Sequence, residues 1–452
     1  MNTAKLQDRD PEVNSLIEKE SERQRTHLSL IPSENIFSPA VREAVGSVFM
    51  QKYSEGNVGA RYYEGNEFVD ELERLTMDRA RKLFNLPDDW SVNVQALAGS
   101  NANIAVYLGI LPPGSTILSM YLPDGGHLSH GWSYSPQKDK TTVNEEVYLG
   151  GTKKVNISSR LYNIVQYKTD PKTHLFDYDQ IQKLAQEHKP NLIITGGTTY
   201  PRDIDYKKMK AIADSVGALY MADIAHEAGL IAASVLNSPV GIADVVTMTT
   251  HKTLRSGRGA IILGKKDLIK KIDKGVLPGL QGGPFNNNIA GICVGLGEAL
   301  QSDFKIYAKA VIDNAKVLAE ALKGYGFDLL TGGTDKHLIL INMTNKGIFG
   351  KYTARALNYA GLVCNMNTMP QETRSPADPS AIRLGTPSVT TRGLRVNEMK
   401  LIAKWINSVV EEIKPWAELD FESFQEKVKS SSIILGINKE VEALCEKFPV
   451  GF

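Results

Sequence analysis

A lysine able to act as an amine nucleophile follows an apolar stretch of the chain. Residues 244–249 read Asp-Val-Val-Thr-Met-Thr, and Thr250, His251 and Lys252 come next. The β-branched, apolar start predicts a buried strand with polar residues at its end. In open α/β sheets, ligands bind beyond the carboxyl ends of strands, and a lysine desolvated there loses part of its preference for the charged form. Lys252 is therefore a candidate nucleophile toward a carbonyl, whereas a lone lysine is usually an ordinary surface residue.

An acid and a histidine follow the preceding strand. Residues 191–195 predict a strand, 207–216 a helix and 218–222 a second strand, which is followed by Asp223 and His226. This alternation indicates a largely parallel sheet covered by helices. Because the carboxyl ends of parallel strands share one edge, these side chains are expected near the candidate lysine. An acid in this position is more commonly a helix cap. A site is favoured because Asp223 and His226 follow one strand and Lys252 follows the next.

A turn that could bind an anion lies earlier in the chain. Residues 92–96 predict a strand, and Leu-Ala-Gly-Ser follows at 97–100 before an apolar helix to Leu111. The free N–H groups and the dipole of a helix amino terminus at Gly99 and Ser100 would attract a phosphate. Small residues are also common caps, and the Rossmann and P-loop glycine spacings are missing. A dinucleotide or a nucleoside triphosphate is therefore not indicated.

Three other stretches carry polar groups suited to binding. The loop at 52–65 has three tyrosines, charges of both signs and three glycines without regular periodicity, which is typical of a binding surface. His127 and His130 adjoin glycines and suit stacking or hydrogen bonding, because no third residue nearby completes a metal site. Arg383, within the run Ile-Arg-Leu-Gly, suits bidentate capture of a carboxylate.

The composition limits the class of protein. The chain has 452 residues, is 42% hydrophobic and 23% charged, and carries a net charge of +1. These values are typical of a globular protein and give no sign of a nucleic-acid or membrane-binding surface. The three cysteines lack metal-ligand spacing and fit a reducing compartment. The polar amino terminus argues against secretion or import, so a cytoplasmic location is predicted.

The order of the predicted elements gives the domain organisation. Strands alternate with helices first, and a mixture of strands and helices follows, which indicates an α/β domain with a mostly parallel sheet and a smaller α+β domain. We expect an amino-terminal arm at 1–45, a large domain at 46–295 and a small domain at 296–452.

Three local elements are also predicted. A helix is expected at 39–48 with Ser38 as its cap and Pro39 at its first position. A long helical region is expected at 287–325. The charged stretch at 146–155 reads as a hairpin around a Gly-Gly pair.

The candidate residues together describe one class of cofactor. A lysine amine, an aspartate, a stacking histidine, an anion-binding turn and a carboxylate-binding arginine are the groups that pyridoxal phosphate and an amino acid require. The aspartate would keep the pyridine nitrogen protonated, and the helix terminus would hold the phosphate. Each group has an ordinary alternative, but their joint occurrence at strand ends and glycine-rich loops favours a pyridoxal phosphate enzyme.

Several ordered motifs between about residues 28 and 395 resemble the serine hydroxymethyltransferase family. They are Ser33-Glu34-Asn35, Tyr53-Ser54-Glu55-Gly56, Arg61-Tyr62-Tyr63, residues 122–131, Asp223-Ile224-Ala225-His226, residues 249–254, Gln281-Gly282-Gly283-Pro284 and Arg383-Leu384-Gly385-Thr386-Pro387. The resemblance implies the aspartate-aminotransferase type of pyridoxal enzyme (fold type I), which forms an obligate dimer with sites at the subunit interface.

The resemblance also implies a role for each matched residue. Catalytic roles fall to Lys252 (covalent attachment of pyridoxal 5′-phosphate), Asp223 (pyridine nitrogen), His127 (stacking on the ring), Glu55 (acid–base group) and Tyr62. Further cofactor contacts fall to Gly99, Ser100, Thr198, His226 and His251, and across the subunit interface to Tyr53, Gly282 and Gly283. Substrate contacts fall to Ser33, Tyr62, Tyr63 and Arg383 for the amino acid, and to Leu122, Leu128 and Asn367 for the pterin.

Several departures from the family pattern lie where the pterin would bind. Ala377 replaces an aromatic residue common in that loop, and Phe285 replaces a histidine often found after Gly-Gly-Pro. A charged insertion at 137–155 is longer than the family norm, and its Lys153 and Lys154 are predicted to attract a carrier with a long acidic tail.

The resemblance implies reversible transfer of the hydroxymethyl group of L-serine to a tetrahydropterin such as tetrahydrofolate, giving glycine. Two alternatives stay open: a pyridoxal phosphate aldolase acting on threonine-like amino acids without a pterin, and a catalytically idle binding protein of the same fold. Retention of Lys252, Asp223, Glu55 and Arg383 argues against the second. The expected partners are the two small molecules and further copies of the chain, as a homodimer or a dimer of dimers. No nucleic acid, membrane or metal is expected.

Overall fold

The computed structural model describes residues 4–134 and 153–451. Its strands, in chain order, are β1 (Leu28–Ser29), β2 (Gly56–Asn57), β3 (Ala60–Arg61), β4 (Trp90–Asn93), β5 (Thr116–Met120), β6 (Ser133–Tyr134), β7 (Lys153–Lys154), β8 (Asn163–Tyr167), β9 (Leu192–Thr195), β10 (Leu219–Asp223), β11 (Val245–Thr249), β12 (Ala260–Lys265), β13 (Asp328–Leu329), β14 (Leu338–Asn342), β15 (Leu362–Val363), β16 (Asn365–Asn367) and β17 (Ala381–Gly385).

The α-helices are distributed along the whole described chain. They are α1 (Leu6–Arg9), α2 (Pro11–Thr26), α3 (Pro39–Val45), α4 (Glu67–Leu83), α5 (Gly99–Ile110), α6 (Ile157–Leu161), α7 (Tyr178–His188), α8 (Tyr206–Ser215), α9 (Ala228–Ala232), α10 (Lys266–Val276), α11 (Asn286–Ala299), α12 (Ser302–Gly324), α13 (Gly350–Tyr359), α14 (Pro387–Arg392), α15 (Val396–Ile413), α16 (Phe421–Ser430) and α17 (Ser432–Lys447).

The largest sheet has seven strands in the order β4-β12-β11-β10-β9-β5-β8. All five residues of β11 are buried, as expected for an apolar, β-branched strand in the middle of a covered sheet. The pairs from β11 to β8 are parallel, whereas β12 is antiparallel to both β11 and β4. Residues 250–259, which join β11 to β12, are too few for the crossover that a parallel strand needs. The predicted mostly parallel sheet is confirmed, with one antiparallel strand.

A smaller antiparallel sheet follows in the order β13-β14-β17-β16. It packs with α12, α13 and α15 around a second hydrophobic core, which also includes Leu28 and Leu30 from the amino-terminal segment. The short β1 pairs in parallel with β15, so this segment is attached to the carboxyl-terminal part of the fold. The predicted fold class is confirmed; the boundaries at 45 and 295 stay a prediction.

Helix α5 lies very close to α10 beneath the large sheet. A Cβ atom added to Gly109 would be 2.7 Å from the Cα atom of Ile272, and one added to Gly275 would be 2.3 Å from the carbonyl oxygen of Ala105. The two helices can approach this closely only because both positions lack a side chain. Their contact places the amino terminus of α5 at the edge of the sheet where β10 and β11 end.

Three predicted elements differ from the structure by more than one residue at a boundary. The strand expected at 92–96 is β4, which begins and ends earlier. The Ser38 hydroxyl caps α3 by accepting a hydrogen bond from the Val41 N–H at 3.1 Å, but this helix ends at Val45, before Gly46. The helical region expected at 287–325 is two helices, because Gln301 has an extended backbone (ψ 156°).

The hairpin predicted at 146–155 lies mostly outside the described residues. Its last part is β7. This strand pairs antiparallel with β6, and Ser133 lies opposite Lys154. Within residues 4–134 and 153–451, no helix is long and apolar enough to cross a membrane. In the same ranges, no cluster of three or more His, Cys, Asp or Glu side chains is arranged to hold a metal ion.

Candidate active site

Lys252 lies three residues beyond the end of β11, with 9% of its surface exposed. Its Nζ atom makes no hydrogen bond or ion pair with any residue that the structure describes, while the Asn35 side chain donates to its carbonyl oxygen at 2.8 Å. Burial lowers the pKa of Lys252 to about 8, although the carboxylate of Asp223 acts in the opposite direction. A larger fraction of this amine is neutral near pH 7 than of an exposed lysine, as a nucleophile requires.

Asp223 is the last residue of β10 and is 8% exposed. Its Oδ2 atom accepts a hydrogen bond from the Asn103 amide at 2.8 Å and lies 2.9 Å from Nε2 of His130. Its Oδ1 atom accepts the Ala225 N–H at 2.9 Å. Burial acts to raise the pKa of Asp223, but the His130 hydrogen bond and nearby histidine charge outweigh it, so the pKa lies well below its ordinary value. The site therefore holds a buried carboxylate that stays ionised at neutral pH.

Asn103 connects this carboxylate to the candidate anion site. Its amide donates to Ser129 Oγ at 2.8 Å, and its Oδ1 atom accepts the Thr247 hydroxyl at 2.7 Å. It belongs to α5, whose N-cap residue, Ala98, provides no side-chain hydrogen bond to the first turn. The first-turn N–H groups of α5, including those of Gly99 and Ser100, are thus left without the usual cap, which suits an anion.

The amino terminus of α5 also contacts the end of β11. A Cβ atom added to Gly99 would lie 2.7 Å from Cγ2 of Thr249. The Thr249 hydroxyl in turn donates to the carbonyl oxygen of Ala225 at 3.1 Å, in the loop that follows Asp223. The ends of β10 and β11 and the start of α5 therefore meet at one place, as the sequence predicts.

His127 lies in the loop after β5 and stays neutral near neutral pH. Its Nδ1 atom accepts the Ser129 N–H at 3.2 Å and lies 2.7 Å from Ser129 Oγ. Its ring is 5.7 Å from that of His130. Burial, and then the nearby His130, lower the pKa of His127 to about 4. A neutral, fixed ring of this kind can stack on a planar group.

Thr198 joins this loop to Arg383. The Thr198 N–H donates to Gly125 O at 2.7 Å, and its hydroxyl donates to Gly126 O at 3.0 Å. The Arg383 guanidinium donates from Nη1 to Thr198 O at 2.5 Å and from Nε to Asn365 Oδ1 at 3.1 Å. Burial lowers the pKa of Arg383 to about 10, so the group remains cationic at neutral pH. The buried Arg383 guanidinium is thus held against the loop that follows β9.

His226 is buried beside the same loops. The Thr253 hydroxyl donates to its carbonyl oxygen at 2.8 Å, which ties the loop after β10 to the loop after β11. Burial and the nearby charges of Lys252 and Arg383 lower the pKa of His226 far below its ordinary value. This histidine is therefore neutral under ordinary conditions.

Ser33 and His251 line a cavity of about 230 Å³. Asn35 and Arg258 line it too, whereas Lys252 does not, so the cavity adjoins the lysine through His251 and through the Asn35 side chain that bonds to the Lys252 carbonyl oxygen. Burial, and then the charge of Lys252, lower the pKa of His251 to about 3. Pro32, which precedes Ser33, packs closely on the end of β17, since a Cβ atom added to Gly385 would lie 2.5 Å from the Cα atom of Pro32.

The tyrosine-rich loop forms a second group of predicted site residues. Glu55 Oε2 accepts a hydrogen bond from the Tyr63 hydroxyl at 3.2 Å, and the ring of Tyr63 meets that of Tyr53 edge-on at 5.6 Å. A Cβ atom added to Gly282 would lie 3.1 Å from Glu55 Oε1, and one added to Gly283 would lie 3.4 Å from Tyr53. Among the described residues, no hydrogen bond or ion pair joins this group to the lysine.

The remaining predicted residues lie toward the surface. Tyr62 is 75% exposed and Leu128 is 48% exposed. Leu122 is half-buried after β5, and Asn367 is half-buried in β16, two residues from the Asn365 that contacts the arginine. Their predicted roles toward substrates stay predictions.

Two side chains hold Asp223: Asn103, to which sequence reasoning assigned no role, and His130, for which it predicted only stacking or hydrogen bonding without naming a partner. The spacing contained a signal for the first, since Asn103 lies four residues after Gly99 and therefore on the same face of α5. His127 and His130 were both candidates for stacking or hydrogen bonding, and the spacing alone does not show which of them reaches the Asp223 carboxylate.

Comparison with known proteins agrees with this geometry. Residues 6–406 match the family model described as serine hydroxymethyltransferase. A serine hydroxymethyltransferase of Sorangium cellulosum (strain So ce56) is 46% identical over 98% of this chain and 96% of its own length. The Desulfotalea psychrophila (strain LSv54 / DSM 12343) enzyme of that name is 46% identical over 98% and 95% of the two lengths. One from Acidothermus cellulolyticus (strain ATCC 43068 / DSM 8971 / 11B) is 44% identical over 97% and 95%. The chain therefore belongs to the serine hydroxymethyltransferase family.

Proposed function

We propose that this chain reversibly transfers the hydroxymethyl group of L-serine to tetrahydrofolate or a related tetrahydropterin, giving glycine, with pyridoxal 5′-phosphate bound covalently at Lys252. One observation carries the proposal. A buried lysine with a lowered pKa, a buried ionised aspartate and an uncapped helix amino terminus meet at the ends of β10 and β11. The similarity to named serine hydroxymethyltransferases over nearly the whole chain supports the choice of reaction.

The residues present fit pyridoxal phosphate. Asp223, kept ionised by His130 and Asn103, would contact the protonated pyridine nitrogen, and the N–H groups at the start of α5 would hold the phosphate. Neutral His127 would stack on the ring, and Thr198 would lie at its edge. When bound, the cofactor supplies an electron sink that stabilises negative charge at the substrate's α-carbon.

The chain's own side chains would bind the amino acid and move its proton. Arg383 keeps its cationic guanidinium fixed by Thr198 and Asn365, so a carboxylate can pair with the remaining donors. Glu55 receives a hydrogen bond from Tyr63, which fixes a carboxylate that can take a proton from the serine hydroxyl and return it. Ser33 would add a hydroxyl contact to the substrate.

The pterin would bind at Leu122, Leu128 and Asn367. The half-exposed Leu128 offers an apolar surface beside the histidine loop, and Asn367 lies in the same sheet as Arg383. A threonine-type aldolase without a pterin would need none of these three residues. We therefore favour the transferase over the aldolase and over an idle binding protein.

We infer further that the chain acts as a homodimer or a dimer of dimers, with Tyr53, Gly282 and Gly283 completing the partner's site. Tyr53 and Tyr62 are 60% and 75% exposed, more than such large side chains usually are in a single chain. Mixing Lys252→Ala with Tyr53→Ala protomers should restore activity, because one site of each hybrid dimer escapes both changes. Absence of rescue after verified subunit exchange would count against a shared site.

We also infer a cytoplasmic location. Cys293, Cys364 and Cys445 are free thiols, which fits a reducing compartment. Localisation of a tagged chain in its native host tests this inference.

The proposed cofactor attachment can be tested directly. Borohydride reduction of the protein incubated with pyridoxal phosphate, followed by peptide mass mapping, should find the cofactor on Lys252. The Lys252→Ala variant should lose the modification and serine turnover, whereas Lys266→Ala, at the exposed start of α10, should keep both. Full modification and turnover in Lys252→Ala would contradict the assignment.

A further inference from the structure

A buried ion pair joins the loop after β10 to the segment that enters β14. The Nζ atom of Lys336 lies 2.5 Å from Oε1 of Glu227, and the two side chains are 1% and 3% exposed. Removing two charges from water is costly, and the pair is maintained only with good geometry. Such a contact is directional, so it fixes the relative position of the two segments more narrowly than apolar packing does.

The residues next to this pair also contact each other. His226, which precedes Glu227, has its Nδ1 atom 3.3 Å from Nε2 of His337, which follows Lys336. Their rings are stacked at 5.5 Å with an angle of 19° between the planes. Two consecutive residues of each segment are therefore bonded to two consecutive residues of the other, beside the candidate active site.

The second segment leads directly to the arginine proposed to bind the substrate. After His337 the chain forms β14, in which Leu340 is the register partner of Arg383 in β17. The Thr386 N–H, just after β17, donates to His337 O at 3.1 Å. The contact between the Lys336 segment and the loop after β10 therefore contributes to the position of Arg383 relative to Asp223, together with the direct bond from Arg383 to Thr198.

We propose that Glu227 and Lys336 are positioning residues that hold β14 and β17 against the loop after β10, and thereby set the distance between Arg383 and the site of the reacting amino group. Neither residue need touch a substrate. The substrate side of this inference rests on the proposed function, in which Arg383 binds the amino acid's carboxylate. The structural side of the inference, that one ion pair couples the two segments, does not depend on the proposed function.

Two variants and one matched control test this role. Lys336→Met leaves Glu227 buried without a partner, and the double variant Glu227→Leu/Lys336→Met removes both charges while keeping apolar volume. Lys309→Met is the control, because Lys309 forms an exposed ion pair with Asp313 inside α12, at 2.5 Å with side chains 71% and 44% exposed, and does not join the two segments. All three proteins should be compared by serine kinetics, by covalent capture of pyridoxal phosphate and by hydrogen exchange of residues 338–342 and 381–385.

A positioning role predicts a specific split between kinetic parameters. Lys336→Met should raise KM for serine by about tenfold or more, while kcat at saturating serine and the rate of cofactor capture change less than about threefold. The double variant should regain wild-type thermal stability and still show the raised KM, together with faster exchange in β14 and β17. Lys309→Met should match the wild type in every measurement.

The opposite results would overturn the inference. A double variant with wild-type KM and wild-type exchange would show that the pair positions nothing, and it decides the matter even where Lys336→Met does not fold. If KM for serine rose while kcat and the rate of cofactor capture fell by a similar factor, the ion pair would support the fold in general and would not position Arg383. A wild-type protein that does not turn over serine would refute the proposed function alone, and the exchange measurement would then decide the structural claim by itself.

Discussion

The Nε2 atom of His130 lies 2.9 Å from Oδ2 of Asp223 at the buried end of β10. The two side chains are only 1% and 9% exposed, so the contact is made away from solvent. A hydrogen bond to an ionised group is stronger than one between neutral groups, especially where the local dielectric is low. His130 thus opposes the effect of burial on Asp223 and maintains the charge that a protonated pyridine nitrogen requires.

Replacing His130 should weaken cofactor binding. His130→Leu removes a hydrogen bond to a buried carboxylate, which is worth about 1.5–3 kcal/mol, so dissociation of pyridoxal phosphate should be faster by tenfold or more. Dialysis followed by the bound-cofactor absorbance measures the change. His188→Leu, at the last residue of α7 with its side chain 19% exposed, is the control and should retain its cofactor. A His130→Leu protein that holds pyridoxal phosphate as tightly as the control would show that the contact is unimportant.

Arg61 is predicted to hold Glu55 in place. Its buried guanidinium donates from Nη1 to the carbonyl oxygens on either side of Glu55, those of Ser54 at 3.1 Å and Gly56 at 2.6 Å, and it pairs with Asp70. Arg61→Met should therefore lower serine turnover at least tenfold and destabilise the fold by about 3–5 kcal/mol, the usual cost of breaking a buried ion pair.

A nearby arginine provides the control for this change. Arg74 also pairs with Asp70, at 3.5 Å, but its side chain is 55% exposed. Arg74→Met should change stability by less than about 1 kcal/mol, because exposed pairs contribute little. Unfolding in urea together with serine kinetics separates the two positions, and equal behaviour of the two variants would refute the assignment.

Covalent capture of the cofactor should depend on pH through Lys252. The neutral amine is the nucleophile, and burial lowers the pKa of Lys252 to about 8 from an ordinary value of about 10.4. The capture rate of cofactor-free protein should therefore rise with pH and level off above about pH 8. Stopped-flow absorbance with pyridoxal phosphate measures this profile. A midpoint above pH 10 would show that the folded site does not lower the pKa.

Filling the space at Gly99 should weaken phosphate binding. An added Cβ atom would lie 2.7 Å from Cγ2 of Thr249, so Gly99→Ala should displace the start of α5 at a cost of about 1–3 kcal/mol. Affinity for pyridoxal phosphate should fall about tenfold, with little change for pyridoxal, which has no phosphate. Adding Thr249→Ser removes the clashing methyl group and should restore affinity.

The matched glycine control lies far from the site. A Cβ atom added to Gly436, within α17, would meet no atom within 4 Å, so Gly436→Ala should bind both forms of the cofactor normally. An equal loss for pyridoxal and pyridoxal phosphate in Gly99→Ala would place the phosphate elsewhere.

The sequence was sufficient to place Asp223 and Lys252 at one edge of the sheet. Apolar runs, β-branched in the case of β11, predicted β10 and β11, and polar residues follow the end of each strand. This worked because strand periodicity and the position of ligands in open sheets depend on backbone geometry, which local sequence determines well.

Contacts between distant segments were harder to predict. Neither Asn103 nor Lys336 shows in the sequence which carboxylate it approaches, since Asp223 and Glu227 lie more than 100 positions away along the chain from each partner. The antiparallel direction of β12 was also missed, although the short connection from β11 contained the signal. Such features depend on tertiary packing rather than on local pattern.

The fate of the serine hydroxymethyl carbon distinguishes the proposed transferase from an aldolase that uses no pterin. Wild-type protein loaded with pyridoxal phosphate should be incubated with serine labelled at its β-carbon, with and without tetrahydrofolate, and the products analysed by mass spectrometry. We expect unlabelled glycine, with the label on the pterin, and turnover at least tenfold faster when tetrahydrofolate is present. Equal glycine formation in both reactions, with the label released as free formaldehyde, would contradict the proposed transferase and favour the aldolase.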